Sequence, residues 1–174
     1  MNKKVYIALI NYNGAEDTIE CLESVFKQTY TNFQIILVDN NSTDNSVKEI
    51  INWAEGRVSK INTQFTHLIE PVIDKPIDYI YIEEENLLSK EHRQKFIMIK
   101  AEKNGGFASG NNIAINYIKK YSADSFCWML NNDTVLEQDT LIGLIDCQIA
   151  NNFGLTGSVL KYYDQPDIIQ ALGG

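Results

Sequence analysis

The sequence predicts a three-layer α/β/α domain built on a mainly parallel central sheet, and three observations carry that reading. Short apolar, β-branched runs alternate with helix-spaced segments four times along the chain. The runs look apolar on both faces, as strands of a parallel sheet covered on both sides do. With 174 residues, 44% of them apolar, the chain can bury a core of ordinary size for one domain, so residues 1–174 are read as a single unit.

The first run, Val5-Tyr6-Ile7-Ala8-Leu9-Ile10, stops at Asn11-Tyr12-Asn13-Gly14 and reads as a buried strand entering a turn. From Glu16, the spacing of Ile19, Leu22, Val25 and Phe26 marks one helical face, and Glu16 and Asp17 suit the positive helix start. Gln34-Ile35-Ile36-Leu37-Val38-Asp39 is the second strand. A polar loop follows, then a helix marked by Val47, Ile50, Ile51 and Ala54, which Ser42, Thr43 or Asp44 could cap. The third strand, Phe96-Ile97-Met98-Ile99-Lys100, leads into the loop Asn104-Gly105-Gly106-Phe107-Ala108-Ser109-Gly110 and a helix through Ile113, Ala114, Tyr117 and Ile118. The fourth, Phe126-Cys127-Trp128-Met129-Leu130, ends in Asn131-Asn132-Asp133 before a helix carrying Leu141, Leu144 and Ile145. Residues 57–95 interrupt the rhythm with Pro71, Pro76, a half-exposed alternating run at 77–82 and a charged stretch. They are expected to form an insertion packed on one edge of the sheet.

Composition excludes several classes. Fifteen basic against 23 acidic residues give a net charge of −8, which argues against a nucleic-acid partner. No apolar run approaches the roughly 20 residues of a membrane span. The start, Met1-Asn2-Lys3-Lys4 before the first strand, lacks the features of a secretory leader, so a soluble, cytoplasmic chain without a transmembrane segment is expected. Cys21, Cys127 and Cys147 form no metal or disulfide pattern and are expected to be reduced and buried. His67 and His92 stand apart and are expected to be ordinary surface or loop residues.

Ligands of an open α/β sheet bind beyond the carboxyl ends of the strands, so residues 11–14, 39–44, 104–112 and 131–133 carry the candidate chemistry. These loops are rich in amides, glycine and carboxylates and poor in Lys and Arg. Such a site can hold a phosphate through backbone N–H groups, helix starts and a divalent metal. Asp39 closes a strand and could accept a hydrogen bond from a base or a ribose, or could cap the next helix. Gly105, Gly106 and Gly110 match neither a dinucleotide fingerprint nor a P-loop, and serve either close approach to a ligand or a tight turn. Asp133 is the acid that a divalent cation could bridge to a diphosphate, or an ordinary acid at a turn.

Taken together, four stretches resemble glycosyltransferase family 2, the nucleotide-diphospho-sugar transferases of Rossmann-like GT-A fold, and in style their rhamnosyltransferase-like branch. They are Ala8-Leu9-Ile10-Asn11-Tyr12-Asn13-Gly14, Ile36-Leu37-Val38-Asp39-Asn40-Asn41-Ser42-Thr43-Asp44, Asn104-Gly105-Gly106-Phe107-Ala108-Ser109-Gly110-Asn111-Asn112 and Leu130-Asn131-Asn132-Asp133-Thr134. The resemblance covers residues 3–56 and 96–174. It implies that Asp39 contacts the nucleobase, that Asn11, Tyr12 and Asn13 line base and ribose, and that Asp44 lies beside the pocket. Gly105, Gly106, Asn111 and Asn132 would fall on the donor side, with residues 106–112 passing the sugar-phosphate. Asp133 would bind a divalent metal, Mg or Mn, although Asn131 replaces the first acid of the family's D-x-D element.

The implied reaction is inverting sugar transfer from a nucleotide-diphospho-sugar donor to a saccharide or lipid-linked acceptor, as in polysaccharide biosynthesis. It would take place in the cytoplasm, peripherally at the inner membrane face where the acceptor is a lipid. The implied catalytic base is unknown and expected beyond Gly174, so the chain reads as a donor domain lacking the family's C-terminal half. Two other readings stay open. One is a nucleotidylyltransferase, disfavoured because residues 11–14 hold no Lys or Arg. The other is a degenerate nucleotide-binding or interaction module without transferase activity.

Overall fold

The computed structural model describes residues 3–172; Met1 and Asn2 of the expected leaderless start, and Gly173 and Gly174 at the chain's end, lie outside them. In chain order the elements are β1 (Val5–Asn11), α1 (Ala15–Phe26), β2 (Phe33–Asp39), α2 (Ser46–Ala54), α3 (Thr66–Ile69), β3 (Tyr79–Glu83) and α4 (Glu84–Leu87). There follow β4 (Phe96–Lys100), α5 (Phe107–Tyr121), β5 (Phe126–Asn131), α6 (Thr140–Asn151), β6 (Val159–Lys161) and β7 (Ile169–Leu172). Five strands form one sheet in the order β3-β4-β2-β1-β5, every pair parallel. The register aligns Asn11 with Asp39, Asp39 with Lys100 and Ile10 with Asn131, so the strand ends meet at one edge.

Every residue of β1 and β2 is buried, and alternate side chains feed two separate cores. Val5, Ile7 and Leu9 face Leu22 and Val25 of α1, Ile50 and Trp53 of α2, and Leu141 and Ile145 of α6. Tyr6, Ala8 and Ile10 face Ala114, Tyr117 and Ile118 of α5. A Cβ added to Gly110 would lie 3.0 Å from Ile10 Cδ1, so the close seat of α5 on β1 depends on that glycine.

Residues 57–95 supply the edge strand β3, half-buried as the alternation predicts, and much more besides. Ile61 and Ile69 enter the α1/α2 core, and Leu87 enters the core under α5. The segment is tied to α1 by a buried carboxylate. Glu23 Oε1 accepts from Lys75 Nζ at 2.6 Å and from Trp53 Nε1 at 2.7 Å, while Oε2 accepts from the Ile73 N–H at 2.9 Å. Lys27 Nζ donates to the carbonyls of Leu68 and Ile69.

The structure corrects several expectations. Cover on both faces fails at β5, where Cys127, Met129 and Asn131 are exposed because α5 sits over β1 and β2. Of the cysteines only Cys21 is buried; Cys127 and Cys147 are exposed. His92 is no surface residue: it is 4% exposed and stacks on Tyr117 at 6.0 Å between ring centroids. The stretch 107–110 is the first turn of α5 and not loop, because Gly106, at φ 80° and ψ 175°, makes the whole turn by itself. The β6–β7 hairpin has no counterpart in the predicted elements.

Candidate donor site

Beyond the strand ends, β1 and β2 hand over to loops that are hydrogen-bonded into one knot. Asp39 is fully buried, and its Oδ1 accepts from Asn11 Nδ2 at 2.7 Å and Ser42 Oγ at 2.6 Å while its Oδ2 accepts from the Ser42 N–H at 3.0 Å. Buried carboxylates are stable only with such partners. Asn13, held at φ 52°, accepts from the Thr43 N–H at 2.8 Å, and its own N–H donates to Ser42 Oγ at 3.0 Å. Asp39, Asn11 and Asn13 therefore share one cluster organised by Ser42. Tyr12 stands beside it 47% exposed, a free aromatic face at the mouth.

Asp44 lies at the surface and accepts from the Ser46 N–H at 2.9 Å; it precedes the cap position of α2, Asn45, and of the three candidate caps it is the one that reaches a helix N–H. Hydrogen bonding from Ser46, side chain and then N–H, holds its carboxyl below the ordinary carboxylate range. Asn132 turns inward, donating to Thr18 Oγ1 at 2.8 Å, and Thr18 donates to Asn11 Oδ1 at 3.0 Å; the end of β5 is thus linked to the β1 loop through α1. Thr18 and Ser42 were not singled out as site residues. Thr18 carries one legible signal, a hydroxyl inside the buried stripe of α1.

The glycines differ in role. A Cβ on Gly105 would meet Ser109 Cβ at 2.6 Å, so Gly105 is a packing glycine. A Cβ on Gly106 would meet nothing within 4 Å, which leaves its backbone open to a ligand at the start of α5. No side chain caps that helix start. Asn111 is buried and donates to the Phe107 carbonyl at 3.1 Å, so it holds the first turn of α5 together.

Asp133 is exposed and takes part in no hydrogen bond or ion pair among the described residues, so its carboxylate is available. Among the described residues no group of three or more His, Cys, Asp and Glu side chains is placed to hold a metal. A single carboxylate plus substrate phosphates is, however, an ordinary ligand set for Mg²⁺. Behind Asp133, Cys21 Sγ faces the Asn131 carbonyl at 3.7 Å, and burial pushes its thiol up to about 12, which makes it a packing residue. A cleft of about 560 Å³ opens from Asp133 and Glu137 toward the β6–β7 hairpin, walled by Phe65, Lys161, Tyr162 and Tyr163. Phe65 meets Tyr163 edge-on at 4.9 Å, and Tyr163 Oη donates to Glu20 Oε1 at 2.9 Å.

The parallel sheet flanked by helices superposes on solved glycosyltransferases of the GT-A fold, which is the fold class of this chain. Residues 6–68, which hold the first two of the four loops, match the family described as Glycosyl transferase family 2, and at those two loops this bears out the resemblance. The chain is 46% identical to Glycosyltransferase GlyG of Streptococcus pneumoniae over 46 residues, 26% of this chain and 15% of that protein. The mannosyltransferase PcManGT from Pyrobaculum calidifontis, solved in complex with GDP-Man and Mn²⁺, superposes with a TM-score of 0.57 at 17% identity, over 92% of this chain and 36% of that one. TarS 1–349 of S. aureus, in complex with UDP, gives a TM-score of 0.52 at 16% identity over 91% of this chain and 40% of that one. The chain thus spans well under half the length of these relatives, and what it shares with the solved structures is the fold.

Proposed function

We propose that this chain is the donor-binding part of an inverting glycosyltransferase of the rhamnosyltransferase-like branch, taking a nucleotide-diphospho-sugar. The observation that carries the reading is the interlocked loop cluster of Asn11, Asn13, Asp39 and Ser42 beside the uncrowded, uncapped start of α5. One half is a loop platform that Asp39 and Asn11 hold rigid beside base and ribose, with Tyr12 exposed on it; the other offers N–H groups at a helix start to a diphosphate. The GDP-Man and UDP held by the two solved relatives support the same class of donor here.

In the reaction an acceptor hydroxyl attacks the anomeric carbon, the bond from that carbon to the diphosphate oxygen breaks, and the configuration inverts. The uncapped N–H groups of the first turn of α5, from Phe107 onward, stabilise charge on the departing diphosphate. Asp133, together with the donor's phosphates, would hold Mg²⁺ or Mn²⁺, which when bound neutralises that charge. The cleft beside Asp133 gives the acceptor room. Its aromatic walls and carboxylates suit a saccharide, free or carried on a lipid at the inner membrane face. The hydroxyl proton passes to a carboxylate base, which the resemblance sets in the portion of the relatives that this chain does not span.

Calorimetric titration with UDP, dTDP and GDP, each with and without manganese, tests the reading. Saturable binding of one diphosphate, strengthened by manganese and abolished by Asp39→Ala, is expected. A folded chain that binds none of the three would leave only the interaction-module reading.

A further inference from the structure

We infer that Asn40 is a positioning residue whose amide latches the nucleobase-side loop to the diphosphate-side glycine loop, so that the two halves of the donor site keep one spacing. The inference rests on the donor-site reading above and adds the element that joins its parts. Asn40 follows Asp39 directly, is 3% exposed, and spends every hydrogen-bonding group of its amide and its N–H on other loops. Its backbone N–H donates to the Asn11 carbonyl at 2.8 Å. Its Nδ2 donates to Asn104 Oδ1 at 2.9 Å, and its Oδ1 accepts from the Gly105 N–H at 3.4 Å. Asn104 Oδ1 also accepts from the Gly106 N–H at 3.0 Å. The two amides thus fix consecutive N–H groups just where Gly106 adopts its left-handed φ of 80° and opens α5.

Physical need explains why an amide stands there. The turn at Gly106 leads into a helix with no side-chain cap, and the bonds that close its first turn lie within α5 and do not tie it to β2. The Gly106 carbonyl is taken by the Gly110 N–H at 3.1 Å and cannot serve as an anchor to β2. Bonding Asn104 Oδ1 and the Gly105 N–H at once takes a side chain with both a donor and an acceptor, which an ionised aspartate, acceptor-only, does not supply. Displacing the cradle by an ångström relative to the base pocket would misplace the diphosphate without disturbing the base.

The test has two readouts on Asn40→Ala, Asn104→Ala and the double variant. Amide hydrogen exchange is expected to rise about tenfold at Gly105 in Asn40→Ala and at Gly106 in Asn104→Ala, the loss of one net hydrogen bond at each, with the amides of β1 and β2 unchanged. For the diphosphate that the wild type binds in the presence of manganese, affinity is expected to fall about tenfold, while affinity for the corresponding nucleoside stays within about twofold. The double variant is expected to bind no worse than the weaker single one, because both remove the same latch. Unchanged exchange at Gly105 and Gly106, additive losses, or equal losses for nucleoside and diphosphate would overturn the inference. A wild type that binds no diphosphate would refute the donor-site reading, and the exchange measurement would still decide whether the latch exists.

Discussion

At the scale of single residues, the polar side chains of this protein divide into those that build loops and those left with spare capacity. Asp39, Asn11, Ser42 and Thr18 are consumed in building; Tyr12, Asp133 and the Gly106 backbone are exposed at the mouth. His92 belongs to neither group. It stacks on Tyr117 in the core under α5, its N–H and carbonyl both bonded to Tyr117 Oη, and its Nε2 has no partner among the described residues. Burial first, and then the charge of Lys90, hold its imidazole pKa below the ordinary 6.5. A depressed pKa means that the unfolded chain takes up the proton first as pH falls through 6.5. The stability His92 contributes is therefore complete above that pH and drains below it. Urea unfolding should show the wild type losing more stability between pH 8 and pH 5 than His92→Phe, which keeps the stacking and cannot titrate. Equal losses in the two proteins would show that His92 does not carry the effect.

At the scale of elements, the segment 57–95 is held by charge as much as by apolar contact. Lys75 and Glu23 are 6% and 0% exposed at their side chains, and Lys75 Nζ also lies 5.1 Å from the Trp53 ring centroid. Three elements, α1, α2 and the stretch before β3, therefore converge on one carboxylate. Removing one partner of a buried pair costs more than the pair contributes, since the remaining charge stays in the core. Lys75→Met should lower unfolding free energy by about 3 kcal/mol or more. Glu23→Gln with Lys75→Met should recover part of that loss, because the orphaned charge is then gone while Gln still accepts from Trp53. Denaturant midpoints of the two variants measure both statements. A double variant no better than Lys75→Met would mean that the pair stabilises by direct attraction alone.

At the scale of the whole molecule, legibility followed the range of the physics. The four βα units were readable because apolar period and strand length are local, and β1, β2, β4 and β5 fall where the runs lie. The site was readable to the level of which loops: residues 11–14, 39–44, 104–112 and 131–133 do meet at one edge, as strand ends of a parallel sheet must. What stayed hidden depends on contacts between distant segments. Neither the Thr18–Asn132 bond nor the Asn40–Asn104 bond follows from spacing. Nor does the exposure of Met129, which reads as core in a strand and is 55% exposed because no described element covers that face of β5. The convergence of four loops has a measurable consequence. Under the proposed donor site a nucleotide diphosphate touches several of these loops at once, so its binding should stabilise the sheet edge as a unit and raise the unfolding temperature of the whole domain. At a ligand concentration one hundred times the dissociation constant the gain is about 2.7 kcal/mol. For a domain of 174 residues that corresponds to a rise of roughly 5–10 °C. Thermal unfolding with manganese and each of UDP, dTDP and GDP should show this rise for one base, and Asp39→Ala should abolish it while Cys147→Ser, far along α6 and exposed, retains it. An equal rise in Asp39→Ala would mean that the diphosphate is held without the β2 loop, and the four-loop site would reduce to the start of α5.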